Sequence, residues 1–127
     1  MAIGEGEKEF AAHVVEMIQA MGPVYTKTMF GGFGVFLDGK MFGLIANSEL
    51  YLKVDTENLS QFEALGLQPF TYHKKGKPMQ MKYYQVPEDA MDNLELMAQW
   101  GNIGFAAACR AASKSAGQAR RNRGPAR

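Results

Sequence analysis

Two very short turns inside the 26-residue run from Met29 to Val54 constrain this chain more than any other feature. Residues 33 to 37 read as a strand and are followed by Asp38-Gly39, a pair that favours a tight hairpin because both residues tolerate positive φ. A second strand, residues 40 to 46, turns at Asn47-Ser48 and returns as residues 49 to 54. With two residues in each loop, Leu37 pairs with Lys40 and Ala46 with Glu49, which sets the register of three strands at once. Paired residues share a face of the sheet, and successive residues alternate between faces.

That register sorts the side chains. Phe36, Met41, Ile45, Leu50, Leu52 and Val54 fall on one face with Gly34 and Gly43 among them, an apolar surface with gaps where a helix can approach closely. This is the expected core face, covered by helices carrying Met17 and Trp100. The other face takes Phe33, Val35, Leu37, Phe42, Leu44 and Tyr51, with Lys40, Glu49 and Lys53 interspersed. Such a mixture is too apolar to be left wholly in water and too charged to be wholly buried. Unless a helix packs there, Phe33, Phe42, Leu44 and Tyr51 are expected as a surface for a protein partner or for a homodimer.

Phe10, Val14, Met17, Ile18 and Met21 recur at helical spacing, predicting an amphipathic helix over about residues 6 to 21 that Gly22-Pro23 ends. Residues 24 to 30 read as a strand leading into a glycine turn or bulge at Gly31-Gly32. Asp55 or Thr56 is placed to cap a short helix, which Gly66 stops after Leu65. Residues 69 to 73 and 79 to 86 read as two more strands around the loop 74 to 78, and Pro87-Glu88-Asp89 as the start of a helical turn. The last helix is expected from Asp92, paired with Glu95 in a capping box, with Leu96, Trp100, Ile103 and Ala107 as its buried stripe. Together these elements make a two-layer α+β domain over residues 1 to 114, an antiparallel sheet of about five to six strands with helices on one face. After Ala112 the pattern gives way to Ser, Gly, Arg and Pro, which bury too little apolar surface to offset ordering, so residues 115 to 127 are expected as a disordered basic tail.

Five short words stand in order along the chain at telling spacings: Met29-Phe30-Gly31-Gly32, Leu52-Lys53-Val54-Asp55, Pro69-Phe70-Thr71-Tyr72, Tyr83-Tyr84 and Val86-Pro87-Glu88-Asp89. In this order they closely resemble the N-terminal domain of the TfoX/Sxy family of bacterial competence regulators. The likeness runs from roughly Met21 to Cys109, about three quarters of the chain. It implies a two-layer α/β domain associated with regulation of competence genes, whose partners belong to the transcription machinery around the cyclic-AMP receptor protein. It carries over no catalytic residue, and no cofactor is expected. Full-length regulators of this kind continue into a second, helical domain, so the likeness covers only their first half.

At 127 residues the chain suits one domain with a single core. Its one cysteine, Cys109, excludes an internal disulfide and falls in a helical pattern, where a thiol is expected as a small buried hydrophobe. The first residues lack the basic and apolar stretches of a leader, and no apolar run approaches the ~20 residues of a membrane span, so a cytoplasmic protein without a membrane partner is expected. The net charge of +1 conceals an asymmetry. All 13 acidic residues precede Ser113 against nine Lys and Arg, leaving that body at −4, while the last fifteen residues carry +5.

Catalytic chemistry finds little foothold. Gly31-Gly32-Phe33-Gly34 opens onto a strand and lacks a Gly-Lys-Ser/Thr ending, so it reads as a turn rather than a phosphate loop. His13 and His73 stand alone, whereas a metal needs three or four converging ligands. No Gly-x-Ser-x-Gly elbow occurs, and Glu88, Asp89, Asp92 and Glu95 read as helix-start acids. A non-enzymatic protein is expected, with a hydrolase or transferase of unrecognised pocket as the remaining alternative. Lys74, Lys75 and Lys77 sit at a hairpin tip beside Tyr72, Tyr83 and Tyr84, where lysines can meet phosphates and rings can meet bases. Arg120, Arg121 and Arg123 add sequence-independent affinity. These residues define a second reading, a stand-alone module that binds nucleic acid weakly and nonspecifically, beside the primary one, a regulatory domain acting through contacts with proteins.

Overall fold

The computed structural model of the chain describes residues 4–29 and 31–122. Helix α1 (Glu5–Ile18) tightens into a 3₁₀ turn (Gln19–Met21) and leads into four successive strands, β1 (Tyr25–Met29), β2 (Gly32–Leu37), β3 (Lys40–Ala46) and β4 (Glu49–Lys53). The short helix α2 (Leu59–Glu63), the hairpin of β5 (Pro69–Lys74) and β6 (Lys77–Gln85), a second 3₁₀ turn (Glu88–Asp92) and the long helix α3 (Leu94–Asn122) follow. All neighbours in the sheet are antiparallel, in the order β1-β2-β3-β4-β6-β5. This is the α+β class that the sequence pattern predicts.

Both foreseen turns form. Asp38 and Gly39 have φ of 54° and 75°, Asn47 and Ser48 of 52° and 57°, the paired positive values of hairpin turns whose twist matches the strands. Leu37 pairs with Lys40, and Ala46 with Glu49. Lys75 and Gly76 make a third such turn, so β5 and β6 close more tightly than the loop expected at 74 to 78.

Between those turns the strands depart from the expected register. Phe36 pairs with Met41 but Val35 pairs with Gly43, so Phe42 is an extra residue on β3 and a bulge sits opposite the Val35–Phe36 bond. One added residue exchanges the faces on either side of it. Phe33, Val35, Leu37 and Phe42 therefore join Ile45, Leu50, Leu52 and Val54 in the core, while Phe36 and Met41, expected inside, are only half-buried on the other face. Phe42 is fully buried and meets the edge of Phe105 on α3 at 5.7 Å between ring centres. Met17 and Trp100 take their expected places on the core side, Trp100 edge-on to the buried Phe62 at 5.0 Å.

Helix α3 lies close against the sheet because Gly104 presents no side chain there. A Cβ at that position would stand 3.2 Å from both the Phe42 carbonyl oxygen and the Leu52 Cβ. The helix starts later than expected: Asn93, not Asp92, caps it, accepting a bond from the Leu96 amide at 3.0 Å, and Asp92 belongs to the preceding 3₁₀ turn. It also continues past Ala112 to Asn122, through residues placed in the tail by the sequence pattern. Ala, Lys, Gln and Arg are good helix formers even where no apolar stripe accompanies them. Cys109 is half-buried on this helix rather than buried.

Two polar contacts tie α3 to the segment after β4. The buried Asn58 donates to the Lys53 and Ile103 carbonyls, each at 3.2 Å, and accepts from the Asp55 amide at 2.9 Å. Asp55 takes both prongs of the Arg110 guanidinium, at 2.6 and 2.9 Å, and the Arg110 hydrogen bond holds its carboxyl below the usual carboxylate range. It also accepts from the Glu57 and Asn58 amides, closing the turn that precedes α2, whose N-cap position is Asn58 rather than the expected Asp55 or Thr56.

Two outcomes follow from this packing. A Cβ on Gly32 would run into the Ile45 carbonyl oxygen, an immovable backbone atom, whereas one on Gly101 would meet the mobile Met21 Sδ at 2.5 Å. Gly32→Ala should therefore lose about 1–3 kcal/mol or more by chemical denaturation, and Gly101→Ala measurably less. Because the folded pKa of Asp55 is depressed, its contribution is present above the ordinary carboxylate range and is lost as pH falls through the folded value. Asp55→Asn should lower the unfolding midpoint at neutral pH, and the gap from the parent protein should close on acidification, as read by thermal melts across pH.

Candidate functional site

The sheet face turned away from the helices is built from alternate residues of all six strands. Tyr25, Lys27 and Met29 of β1 lie beside Gly32, Gly34 and Phe36 of β2, and the absence of a side chain at Gly34 leaves room for Phe36, Met29 and Met41 to converge. Across the sheet, Tyr51 of β4 stands edge-on to Phe70 of β5 at 5.2 Å, and Phe70 stacks on Tyr72. On the far side of β2, Tyr25 stacks on Phe36 with centroids 5.5 Å apart.

Beside the Phe70–Tyr72 pair is a cavity of about 260 Å³. Leu44 and Ala46 of β3 line it together with Met29 from one edge strand and Phe70, Tyr72 and Met81 from the opposite hairpin. Both edges of the sheet thus reach a common hollow, and every residue lining it comes from the strand β-sheet, none from a helix. The lining has a single polar side-chain group, the Tyr72 hydroxyl.

Charge on this face is basic, against the acidic balance of the body. Lys27 holds its ammonium 5.1 Å from the Phe36 ring centre, and Lys53 is 5.3 Å from that of Tyr83. Lys74 and Lys77 extend the same face along the hairpin, paired across the turn. Glu49 is the acid beside Tyr51, and its carboxylate accepts from the Gln85 amide at 3.1 Å. Burial, with the Glu49 charge, pushes the Tyr51 phenol up, and burial alone raises that of Tyr83, so both remain neutral hydroxyls at physiological pH.

The residues singled out from sequence divide. Leu44 and Tyr51 do lie on the outward face, Leu44 at its floor and Tyr51 half-exposed. Phe33 and Phe42 do not: at 7% and 0% exposure they are core residues, moved there by the bulge. Lys74, Lys75 and Lys77 are exposed at the hairpin tip as expected. Arg120 and Arg121 fall on the last turns of α3, and Arg123 lies outside the described residues. Met29, Lys27 and Met81 were not foreseen as parts of a site. The alternation Phe70, Tyr72, Lys74 opposite Lys77, Met79, Met81 carries the signal that places them on one surface.

A larger cleft of about 430 Å³ lies near Phe10 and the Asn47-Ser48 turn, where Glu7 accepts from the Ser48 amide at 2.8 Å and Glu49 accepts from the Gln85 amide at 3.1 Å. Among the described residues no group of His, Cys, Asp and Glu is placed to hold a metal ion, and no helix is long and apolar enough to cross a membrane.

The sheet just described coincides with a known domain. A model of the TfoX N-terminal domain matches residues 16–108, which include all six strands and the start of α3. The chain belongs to that family. DNA transformation protein TfoX1 of Aliivibrio fischeri is 32% identical over 71 residues, covering 56% of this chain and 34% of that protein. Protein Sxy of Escherichia coli is 24% identical over 78 residues, 61% of this chain and 37% of that protein. The chain spans about a third of the length of these two relatives. In this TfoX N-terminal domain the two phenylalanines of the β2–β3 hairpin should differ sharply. Phe42→Ala should cost about 3–5 kcal/mol as a core truncation, and Phe36→Ala, at a half-buried position on the outward face, measurably less, by urea titration.

Proposed function

We propose that this chain is a non-catalytic regulatory domain that acts in the cytoplasm in the control of DNA-uptake competence, through contacts with proteins of the transcription machinery. The observation that carries the reading is the family match over residues 16–108, together with the name of a relative 32% identical over 71 residues, a DNA transformation protein. The outward sheet face supports contact with a protein rather than turnover of a substrate, since it offers aromatic, methionine and lysine side chains and no paired acid and base.

A second reading rests on the β5–β6 hairpin, where Lys74, Lys75 and Lys77 are all exposed and can approach phosphates without hindrance. Contact of this kind would be weak, insensitive to sequence and steeply weakened by salt, because lysines at a hairpin tip meet phosphates rather than base edges.

The primary reading is tested with a chimera in which residues 16–108 of this chain replace the matching segment of TfoX1 in an Aliivibrio fischeri strain lacking its own copy. Recovery of transformation by supplied DNA is the expected result. A stably accumulated chimera that leaves the strain at the level of the deletion would contradict it.

A further inference from the structure

We infer that the hollow on the open sheet face is a docking site for an acidic peptide segment of a partner protein, anchored by one bulky apolar side chain between Leu44 and the Phe70–Tyr72 pair. The inference deepens the regulatory reading above and rests on it for the kind of partner. Four observations carry it.

The first is size. At about 260 Å³ the hollow is smaller than the roughly 300–1,000 Å³ of pockets that enclose a whole small-molecule ligand, and suits the side chain of an anchor residue. The second is lining. Methionines at 29 and 81 adapt their shape to an incoming apolar group, as Met-rich peptide-binding surfaces do.

The third is charge. Lys27 flanks the hollow on one side, and Lys53, Lys74 and Lys77 on the other, on a body whose first 112 residues carry −4. A basic surface on an acidic domain attracts an acidic segment and orients it. It also argues against two other occupants. The C-terminal stretch of this chain carries +5 and would be repelled, and a symmetric dimer through this face would set the lysines of one copy against those of the other.

The fourth observation separates a peptide from a nucleic acid. Bases stack on free ring faces and need partners for their polar edges. Here Tyr25 and Lys27 occupy Phe36, and Tyr72 occupies Phe70. The one amide on the face, Gln85, is already bonded to Glu49. A base in the hollow would find a single polar side-chain group, the Tyr72 hydroxyl, for the several donors and acceptors of its edge, whereas a leucine or phenylalanine needs none.

The probe is a fluorescein-labelled synthetic peptide of Asp and Glu around a central Leu-Phe pair, read by anisotropy, with binding located by the methionine methyl signals in NMR. Expected are saturable binding that shifts the Met29 and Met81 methyls, and loss of about tenfold or more in affinity when the peptide's Leu-Phe becomes Ala-Ala. Ala46→Phe, which fills the hollow, should weaken binding similarly. Lys74→Glu with Lys77→Glu, at the exposed tip where folding is not at stake, should weaken it several-fold and flatten its salt dependence. Absence of peptide binding, or binding that leaves those methyls and both variants unaffected, would overturn the proposal. So would tighter binding of oligo-dT at the same methyls, or self-association in sedimentation that Ala46→Phe abolishes. The chimera separates this proposal from the reading beneath it. Peptide binding with a failed chimera removes the regulatory reading alone, and a working chimera indifferent to Ala46→Phe removes the docking site alone.

Discussion

A single extra residue on β3 governs the organisation of this domain. With Phe42 inserted opposite the Val35–Phe36 bond, Phe33, Val35 and Leu37 turn toward the helices, and Phe36 and Met41 turn away. Phe42 itself becomes part of the seat of α3, its ring against Phe105 and its carbonyl under Gly104. Were Phe42 paired regularly with Val35, Phe36 and Met41 would share the face of Ile45 and Leu50 under α3, and Phe33 and Val35 would turn outward. Core and candidate site are thus two consequences of one backbone feature.

The hairpins were legible because Asp38-Gly39 and Asn47-Ser48 are the residues that positive φ requires, and strand pairing follows from loop length. The bulge was not. Residues 33 to 45 are apolar at odd and even positions alike, so hydrophobic alternation could not distinguish one register from the other. Only Leu44 and Tyr51 of the expected surface kept their side, since they lie beyond the bulge and are paired directly with each other. The ion pair of Asp55 with Arg110 was equally hidden, because 55 residues separate its partners and nothing local announces it. At the C-terminal end, helix propensity without an apolar stripe read as disorder, and α3 runs on to Asn122 instead.

The outward face joins properties that the rest of the surface keeps apart. It is apolar at its centre and basic at its margin, on a domain whose helices and loops carry an excess of acid. Such an arrangement favours a partner that supplies the missing negative charge and one large side chain, and it disfavours pairing of the face with itself. The Asn58 and Arg110 contacts hold α3 on the opposite side, so the face remains free without loss of the core that supports it.

Methionine oxidation tests the assignment of faces most directly. Dilute hydrogen peroxide applied to the folded protein, with each site followed by mass spectrometry of its peptide, reports which thioethers solvent can reach. Met79, at 43% exposure, should react first, and the half-buried Met29, Met41 and Met81 of the outward face should follow. Met17 and Met97, at 6% and 0% exposure, should react only on unfolding. Protection of Met41 to the extent of Met97 would place it under α3, and would contradict both the bulge and the open face that depends on it.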